Sequence, residues 1–264
     1  MSKEDFSEIL LLENLRFFNG EKGKEKERQK LVEMLQPLAD IYINDAFALF
    51  HRNDTSVSLL AQQFKQKAFG LLVEKEIEQL SKLKENPAQP FLLVLGGIKS
   101  KSKIKLLQNL IESEEKCRPK AILIAGAVAN TFLKAQGFSV GKSLIEAESI
   151  NPAKQLLIKA KEKTVDVLLP QDFLVSQNET ELNYYQKEKI PNNGTCVDIG
   201  PETIKTFEKV IKKAKTIFVN GTAGIYTIPK FAQGSQRVLQ AIVSSNAFTV
   251  AGGGDCVAAA YLFN

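Results

Sequence analysis

The sequence predicts an α/β protein built on a parallel sheet covered on both faces, and three observations carry that expectation. Apolar runs of strand length alternate with longer amphipathic stretches along the chain. The apolar runs are near-continuous rather than alternating, the pattern of strands buried on both sides. Four of them lead into glycine turns: Phe91–Leu95 into Gly96-Gly97, Ala121–Ile124 into Gly126, Thr216–Val219 into Asn220-Gly221, and Ala247–Val250 into Gly252-Gly253-Gly254. Ligands collect at the carboxyl ends of such strands, so four turns at one sheet edge point to a phosphate or nucleotide site.

Taken in order, Ile9–Leu12 and Asp40–Asn44 read as buried strands, with a charged helix from Lys24 to Gln36 between them. Lys67–Lys84 reads as one amphipathic helix, with Leu71, Leu72, Ile77, Leu80 and Leu83 at helical spacing, ended by Asn86-Pro87-Ala88-Gln89-Pro90. It is either an ordinary surface helix or a connector between a small N-terminal and a larger C-terminal lobe. Beyond it, strands at Phe91–Leu95, Ala121–Ile124, Val165–Leu169, Thr216–Val219 and Ala247–Val250 alternate with helices at Ser102–Glu112, Val128–Ala135, Pro152–Lys163, Pro201–Ala214 and Phe231–Ser244. Ser176–Asn193, running into Asn192-Asn193-Gly194, reads as a long exposed loop.

Composition narrows the function classes. With 264 residues, 44% hydrophobic and 25% charged, the chain has room for one large domain or two smaller ones. One histidine, His51, and three scattered cysteines, Cys117, Cys196 and Cys256, leave little for a zinc site and read as reduced thiols. The net charge of +5 lies mostly in mixed runs such as Glu21–Arg28, a solvated helix face rather than a nucleic-acid arm. A modest positive excess suits anionic metabolites. No apolar stretch spans a bilayer, and Met1–Phe6 is not a signal peptide, so the expectation is a cytoplasmic protein without a membrane or nucleic-acid partner.

Two segments carry candidate chemistry. Gly252-Gly253-Gly254-Asp255-Cys256 joins a strand to a helix, which exposes backbone N–H groups and the positive end of a helix dipole. Such turns are common in α/β proteins, and the run is weak evidence by itself. Gly96–Ile104 is a second glycine turn entering a helix, with Lys99 and Lys103 four apart on one helix face. Solvated lysines at a helix start would explain it. Cations are unfavourable at a helix N-terminus, however, which favours a functional reason such as neutralising a polyphosphate. The spacing is not that of a Walker A loop. A dinucleotide dehydrogenase is disfavoured, because no acidic residue stands about twenty positions beyond a G-x-G-x-x-G.

At this point the chain resembles phosphoglycerate kinases. Leu10–Phe17 is similar to their LLENxRF segment, and Leu38–Phe47 with His51-Arg52 to LADxYVNDAF…HR. Gly96–Lys103 resembles GGxKxxxK, Ile124–Leu133 resembles GGGMANTFL, and Asp198–Thr203 matches DIGPxT. Asn220–Gly224 resembles NGPMG, and Gly252–Cys256 resembles GGGDT. The motifs occur in family order across nearly the whole chain. The resemblance implies lobes built on Rossmann-like parallel sheets. Here they are a partial N-terminal substrate lobe over residues 1–66, a connector helix over 67–86 and a nucleotide-binding lobe over 87–264. It implies phosphoryl transfer between 1,3-bisphosphoglycerate with ADP and 3-phosphoglycerate with ATP, which needs positioning and charge neutralisation rather than a covalent nucleophile. Carried over by motif, Lys99 and Lys103 are the catalytic lysines, and Gly97, Gly126, Asn220, Gly253, Gly254, Asp255 and Cys256 line the nucleotide site. Asp255 also holds Mg²⁺. Arg16 and Arg52 grip 3-phosphoglycerate through their forked donors.

The chain departs from the family pattern. The opening DxN segment, the early substrate arginine, the HLGRP segment and the closing STGGGA segment have no counterpart in it. Thr227 stands for the glutamate that contacts the ribose, Thr222 and Ala223 for the proline and methionine of NGPMG, Cys256 for the threonine of GGGDT, and Ser102 for the aspartate before the second lysine. The expectation is therefore a truncated kinase with impaired transfer, whose missing N-terminal segment a separate polypeptide would supply. The alternative is a non-catalytic adenine-nucleotide-binding remnant or gene fragment of the same family.

Overall fold

A computed structural model describes residues 9–177 and 181–263. Met1–Phe6, read above for targeting signals, lies outside them. The chain divides into two compact units, 1–81 and 82–264.

The first unit is small. Helix α1 (Glu25–Leu35) starts where Glu25 and Glu27 face the positive end of its dipole, and the Glu27 carboxylate accepts the Lys24 N–H at 3.0 Å. Its Val32 packs with Leu60 of the short α2 (Leu59–Gln62) and with Phe64. Strand β1 (Ile41–Asn44) pairs in parallel with β2 (Gln66–Phe69), from Ile41 opposite Gln66 to Asn44 opposite Phe69. Helix α3 (Leu71–Glu85) follows and runs on into the second unit.

Three expectations fail here. Ile9–Leu12 is not a buried strand: it joins no ladder, and Ile9 and Leu11 are 98% and 91% exposed. Among the described residues no neighbouring strand takes up its backbone groups. Asp40–Asn44 does form a strand but is not buried, since a two-stranded sheet leaves Ile41 and Ile43 more than half exposed. Lys67–Lys84 is not a single helix. The helix begins only after Gly70, because the Asp45 carboxylate receives the Val73 N–H at 2.9 Å and caps the first turn there.

The second unit is built on an all-parallel five-stranded sheet. Its parts are β3 (Phe91–Leu95), α4 (Ser100–Glu112), β4 (Ala121–Ile124), α5 (Gly126–Ala135), α6 (Ile150–Glu162) and β5 (Asp166–Leu168). An antiparallel set follows, β6 (Asp172–Gln177), β7 (Glu181–Gln186) and β8 (Thr195–Ile199), ordered β7-β6-β8. The chain then returns to the main sheet through α7 (Pro201–Ile211), β9 (Thr216–Asn220), α8 (Gln233–Val243), β10 (Phe248–Gly252) and α9 (Gly254–Leu262).

The sheet is covered on both faces, and alternate residues of β3 show how. Leu93 and Leu95 pack with Ile122 and Ile124 under α4, α5 and α6. Leu92 and Val94 pack with Leu123, Ile217 and Val219 under α7, α8 and α9. Strands β4 and β5 lie on one side of β3, and β9 and β10 on the other. The helices that follow β3 and β9 therefore lie on opposite faces of the sheet, which makes a crevice at the carboxyl edge.

The antiparallel sheet overturns the reading of Ser176–Asn193 as a loop. Gln177 pairs with Glu181 across a hairpin whose residues 178–180 lie outside the described set. Strand β7 is a polar edge strand, with one half-buried side chain on each face, Leu182 on one and Tyr185 on the other. Two buried aspartates on this sheet hold helices of the main one. The Asp172 carboxylate accepts the Glu202 N–H, the Thr203 N–H and the Thr203 hydroxyl at 3.0, 2.8 and 2.6 Å at the start of α7. Asp198 accepts the Gly234 N–H at 2.5 Å at the start of α8, and its own neighbour's, Ile199, at 2.9 Å.

Candidate functional site

The floor of the crevice is main chain. Gly96 N–H donates to Asn220 O at 3.0 Å, Gly97 N–H to Thr222 O at 2.9 Å, Gly126 N–H to Ala223 O at 3.0 Å and Val128 N–H to Gly97 O at 3.2 Å. The turns after β3, β4 and β9 are thus laced together, and there is no room for side chains between them. Gly126 sits at φ +61°, and a Cβ there would lie 2.6 Å from Gly97 N. Glycine at that position serves packing, not an open approach to a ligand.

The turn after β10 is different. Gly253 takes φ +90° as the N-cap of α9, and a Cβ on Gly254 would meet nothing within 4 Å. No side chain caps this helix, and among the described residues the N–H groups of Gly254, Asp255 and Cys256 reach no acceptor. By contrast, α5 spends its first N–H groups on the laced floor, and α4 gives the Lys101 N–H to the Glu146 carboxylate at 2.7 Å. Helix α9 therefore presents an uncapped, positively polarised end to open space.

Around that end lies a cavity of about 570 Å³, within the usual size of a small-molecule site. It brings together Gly97, Lys99, Lys103, Gly126, Asn220, Gly253, Gly254, Asp255 and Cys256, residues from the ends of four strands. Lys99 is exposed. Lys103 is half-buried, its Nζ donating to the Asn220 carbonyl at 3.2 Å and to the Asn220 side-chain oxygen. Burial lowers its pKa, partly offset by the neighbouring Cys256. Cys256 is fully buried in the core under α9, and burial pushes its thiol up. What it offers the cavity is its N–H rather than its sulfur. Asp255 is exposed and has no protein partner among the described residues. No cluster of three or more acidic, histidine or cysteine side chains surrounds it there. One free carboxylate beside an anion-receiving turn fits Mg²⁺ carried on a polyphosphate, which is held through one or two carboxylates and phosphate oxygens.

The opposite wall was not foreseen. Phe173, Val197 and Asp198 come from the antiparallel sheet, and Leu144 and Ile225 add apolar side chains that are 54% and 44% exposed. Burial pushes the Asp198 carboxyl up to about 7, partly offset by its two backbone hydrogen bonds. Thr227 also lines this wall. The apolar run Phe173-Leu174-Val175 was the available signal for the strand. The polar stretch after them concealed it.

Arg16 and Arg52 lie in the first unit. Arg16 Nη2 is 3.7 Å, and Arg52 Nη1 4.0 Å, from the same oxygen of Asp54. Neither Asp54 nor Arg28, whose guanidinium donates to the adjacent Asn53 carbonyl and Thr55 hydroxyl, stood out in the sequence.

The whole chain, residues 1–264, matches the family model described as phosphoglycerate kinase. A phosphoglycerate kinase of Desulfosudis oleivorans is 40% identical over 257 residues, covering 96% of this chain and 63% of that protein. One of Finegoldia magna is 42% identical over 255 residues, covering 96% and 62%. Among solved structures, phosphoglycerate kinase from Coxiella burnetii superposes with a TM-score of 0.77 at 38% identity, over 89% of this chain and 60% of that one. The enzyme from Pyrococcus horikoshii gives 0.80 at 29% identity, over 95% and 64%. The chain thus spans under two thirds of the length of these relatives.

Proposed function

The chain belongs to the phosphoglycerate kinase family, and on that premise we propose that it serves phosphoryl transfer between 1,3-bisphosphoglycerate with ADP and 3-phosphoglycerate with ATP. In this reading residues 87–264 hold the adenine nucleotide, residues 1–66 hold the phosphoglycerate, and the segment over 67–86, which contains α3 (Leu71–Glu85), connects them. The observation that carries it is the convergence of the uncapped start of α9, Lys99, Lys103 and the unpartnered Asp255 on one cavity.

The chemistry follows from those groups. The N–H groups of Gly254, Asp255 and Cys256 receive phosphate oxygens. Lys99 and Lys103 neutralise negative charge on the transferring group, and Asn220 aims the Lys103 ammonium. Leu144 and Ile225 give the purine apolar faces, and Thr227 faces the sugar with a hydroxyl. Arg16 and Arg52 bind the phosphoglycerate anion. Mg²⁺, held by Asp255 together with phosphate oxygens, supplies further neutralisation of the polyphosphate when bound. In the direction of ATP formation, a β-phosphate oxygen of ADP bonds to the phosphorus of the acyl phosphate. The bond to the carboxyl oxygen breaks, and that oxygen leaves as carboxylate.

Calorimetric titration with Mg-ADP and Mg-ATP, beside a coupled kinase assay, tests the proposal. Lys103→Ala is expected to weaken nucleotide binding about 10- to 100-fold, the worth of a charge-assisted contact. Asp255→Asn is expected to weaken Mg-ADP binding while leaving Mg-free ADP unaffected. Absence of adenine-nucleotide binding by the unaltered chain overturns the reading. Binding without turnover overturns its transferase half only.

A further inference from the structure

Three arginines surround the turn from Asn53 to Ser58, and they are used in two different ways. Arg28 of α1 spends its donors on the protein: Nε to the Thr55 hydroxyl at 2.9 Å, and Nη2 to Asn53 O at 3.0 Å and the Ser58 hydroxyl at 3.1 Å. Thr55 is fully buried and ties the turn to Gly20 O at 2.7 Å and Glu21 O at 2.9 Å. The buried Glu21 carboxylate accepts the Ser56 N–H and hydroxyl at 3.1 and 2.6 Å. The turn is therefore fixed from two sides, and Asp54 is fixed with it. Arg16 and Arg52 make no side-chain hydrogen bond among the described residues. Each only approaches the Asp54 carboxylate, at 3.7 and 4.0 Å, with its guanidinium part-exposed.

We propose that Asp54 is a positioning residue that gathers Arg16 and Arg52 into a paired receptor for a phosphate or carboxylate anion while leaving their donor forks free. Two guanidinium groups repel each other, and a fixed carboxylate between them offsets that repulsion before any ligand arrives. The restricted arginines then lose less side-chain freedom on binding. The contact distances, too long for hydrogen bonds, are what keep the N–H groups available. This rests on the reading of the first unit as the phosphoglycerate-binding part.

The test titrates the full chain with inorganic phosphate, 3-phosphoglycerate and ADP. Asp54→Asn keeps the shape and removes the charge. It is expected to weaken phosphate and 3-phosphoglycerate about fivefold, the scale of two part-exposed ion pairs, with ADP binding unchanged and the thermal midpoint lowered by only a few degrees. Asp54→Glu, which retains the charge, is expected to fall between the two. In an Arg16→Ala/Arg52→Ala background, Asp54→Asn is expected to add nothing. Phosphate or 3-phosphoglycerate binding by Asp54→Asn as tight as by the unaltered chain, or tighter, overturns the inference and leaves the phosphoglycerate reading standing. Binding of phosphate but not 3-phosphoglycerate by the unaltered chain overturns that reading and leaves Asp54 in its role. If neither anion binds, both fall.

Discussion

Replacing Asp198 by asparagine isolates the energetic effect of a buried carboxyl. Its side chain is 3% exposed, and burial pushes it up to about 7, against roughly 3.9 in an unfolded chain. The folded protein therefore holds the proton more tightly than the unfolded one. The resulting stability is fully present below about pH 4, is lost as pH rises towards about 7, and is flat above that. About three units correspond to roughly 4 kcal/mol over the whole window, of which about 2–3 kcal/mol falls between pH 5 and pH 8. The substituted amide cannot titrate but keeps an oxygen for the Gly234 N–H. Urea unfolding of both proteins, followed by circular dichroism at pH 5, 6, 7 and 8, gives the difference directly. The stability of the unaltered chain relative to Asp198→Asn is expected to fall by about 2–3 kcal/mol over that range. Parallel pH profiles would refute the argument.

Other substitutions probe the same framework. Asp172→Ala removes a carboxylate that accepts three hydrogen bonds at the start of α7. A loss of about 2–4 kcal/mol is expected in chemical denaturation, from the missing cap and the stranded buried donors. Gly126→Ala forces a Cβ to 2.6 Å from Gly97 N at a positive φ. It is expected to cost about 1–3 kcal/mol and to lower nucleotide affinity in calorimetry, because the laced floor must shift. Gly254→Ala meets open space in the protein. Its thermal midpoint is expected to hold while its affinity for inorganic phosphate falls, and equal affinity would place the anion elsewhere.

The main sheet was legible because its strands obey one rule. Phe91–Leu95, Ala121–Ile124 and Thr216–Asn220 lie in a sheet covered on both faces, so the burial signal is continuous in sequence. Elements that depend on a neighbouring strand were not legible. Gln66–Phe69 has no apolar pattern and becomes a strand only by lying beside Ile41–Asn44. Glu181–Gln186 lies at the edge of its sheet, mostly exposed, with only Leu182 and Tyr185 half-buried on opposite faces. The same division holds at the cavity. Glycine turns and lysines betray themselves by type and spacing, and the structure brings them together. Phe173, Val197 and Asp198 reach the site only because an antiparallel sheet folds back over it, and the spacing of residues between strands does not encode that.

The laced turns beneath the cavity carry a further consequence. Their hydrogen bonds run from main chain to main chain, so the floor keeps its shape whichever side chains stand around it. Divergence can then proceed in two compartments. Leu144, Ile225 and Thr227 on the walls are free to drift and retune which base and sugar are accepted. The Gly96, Gly126 and Gly221 positions are held by backbone fit alone, so ligand preference can evolve without rebuilding the platform beneath it.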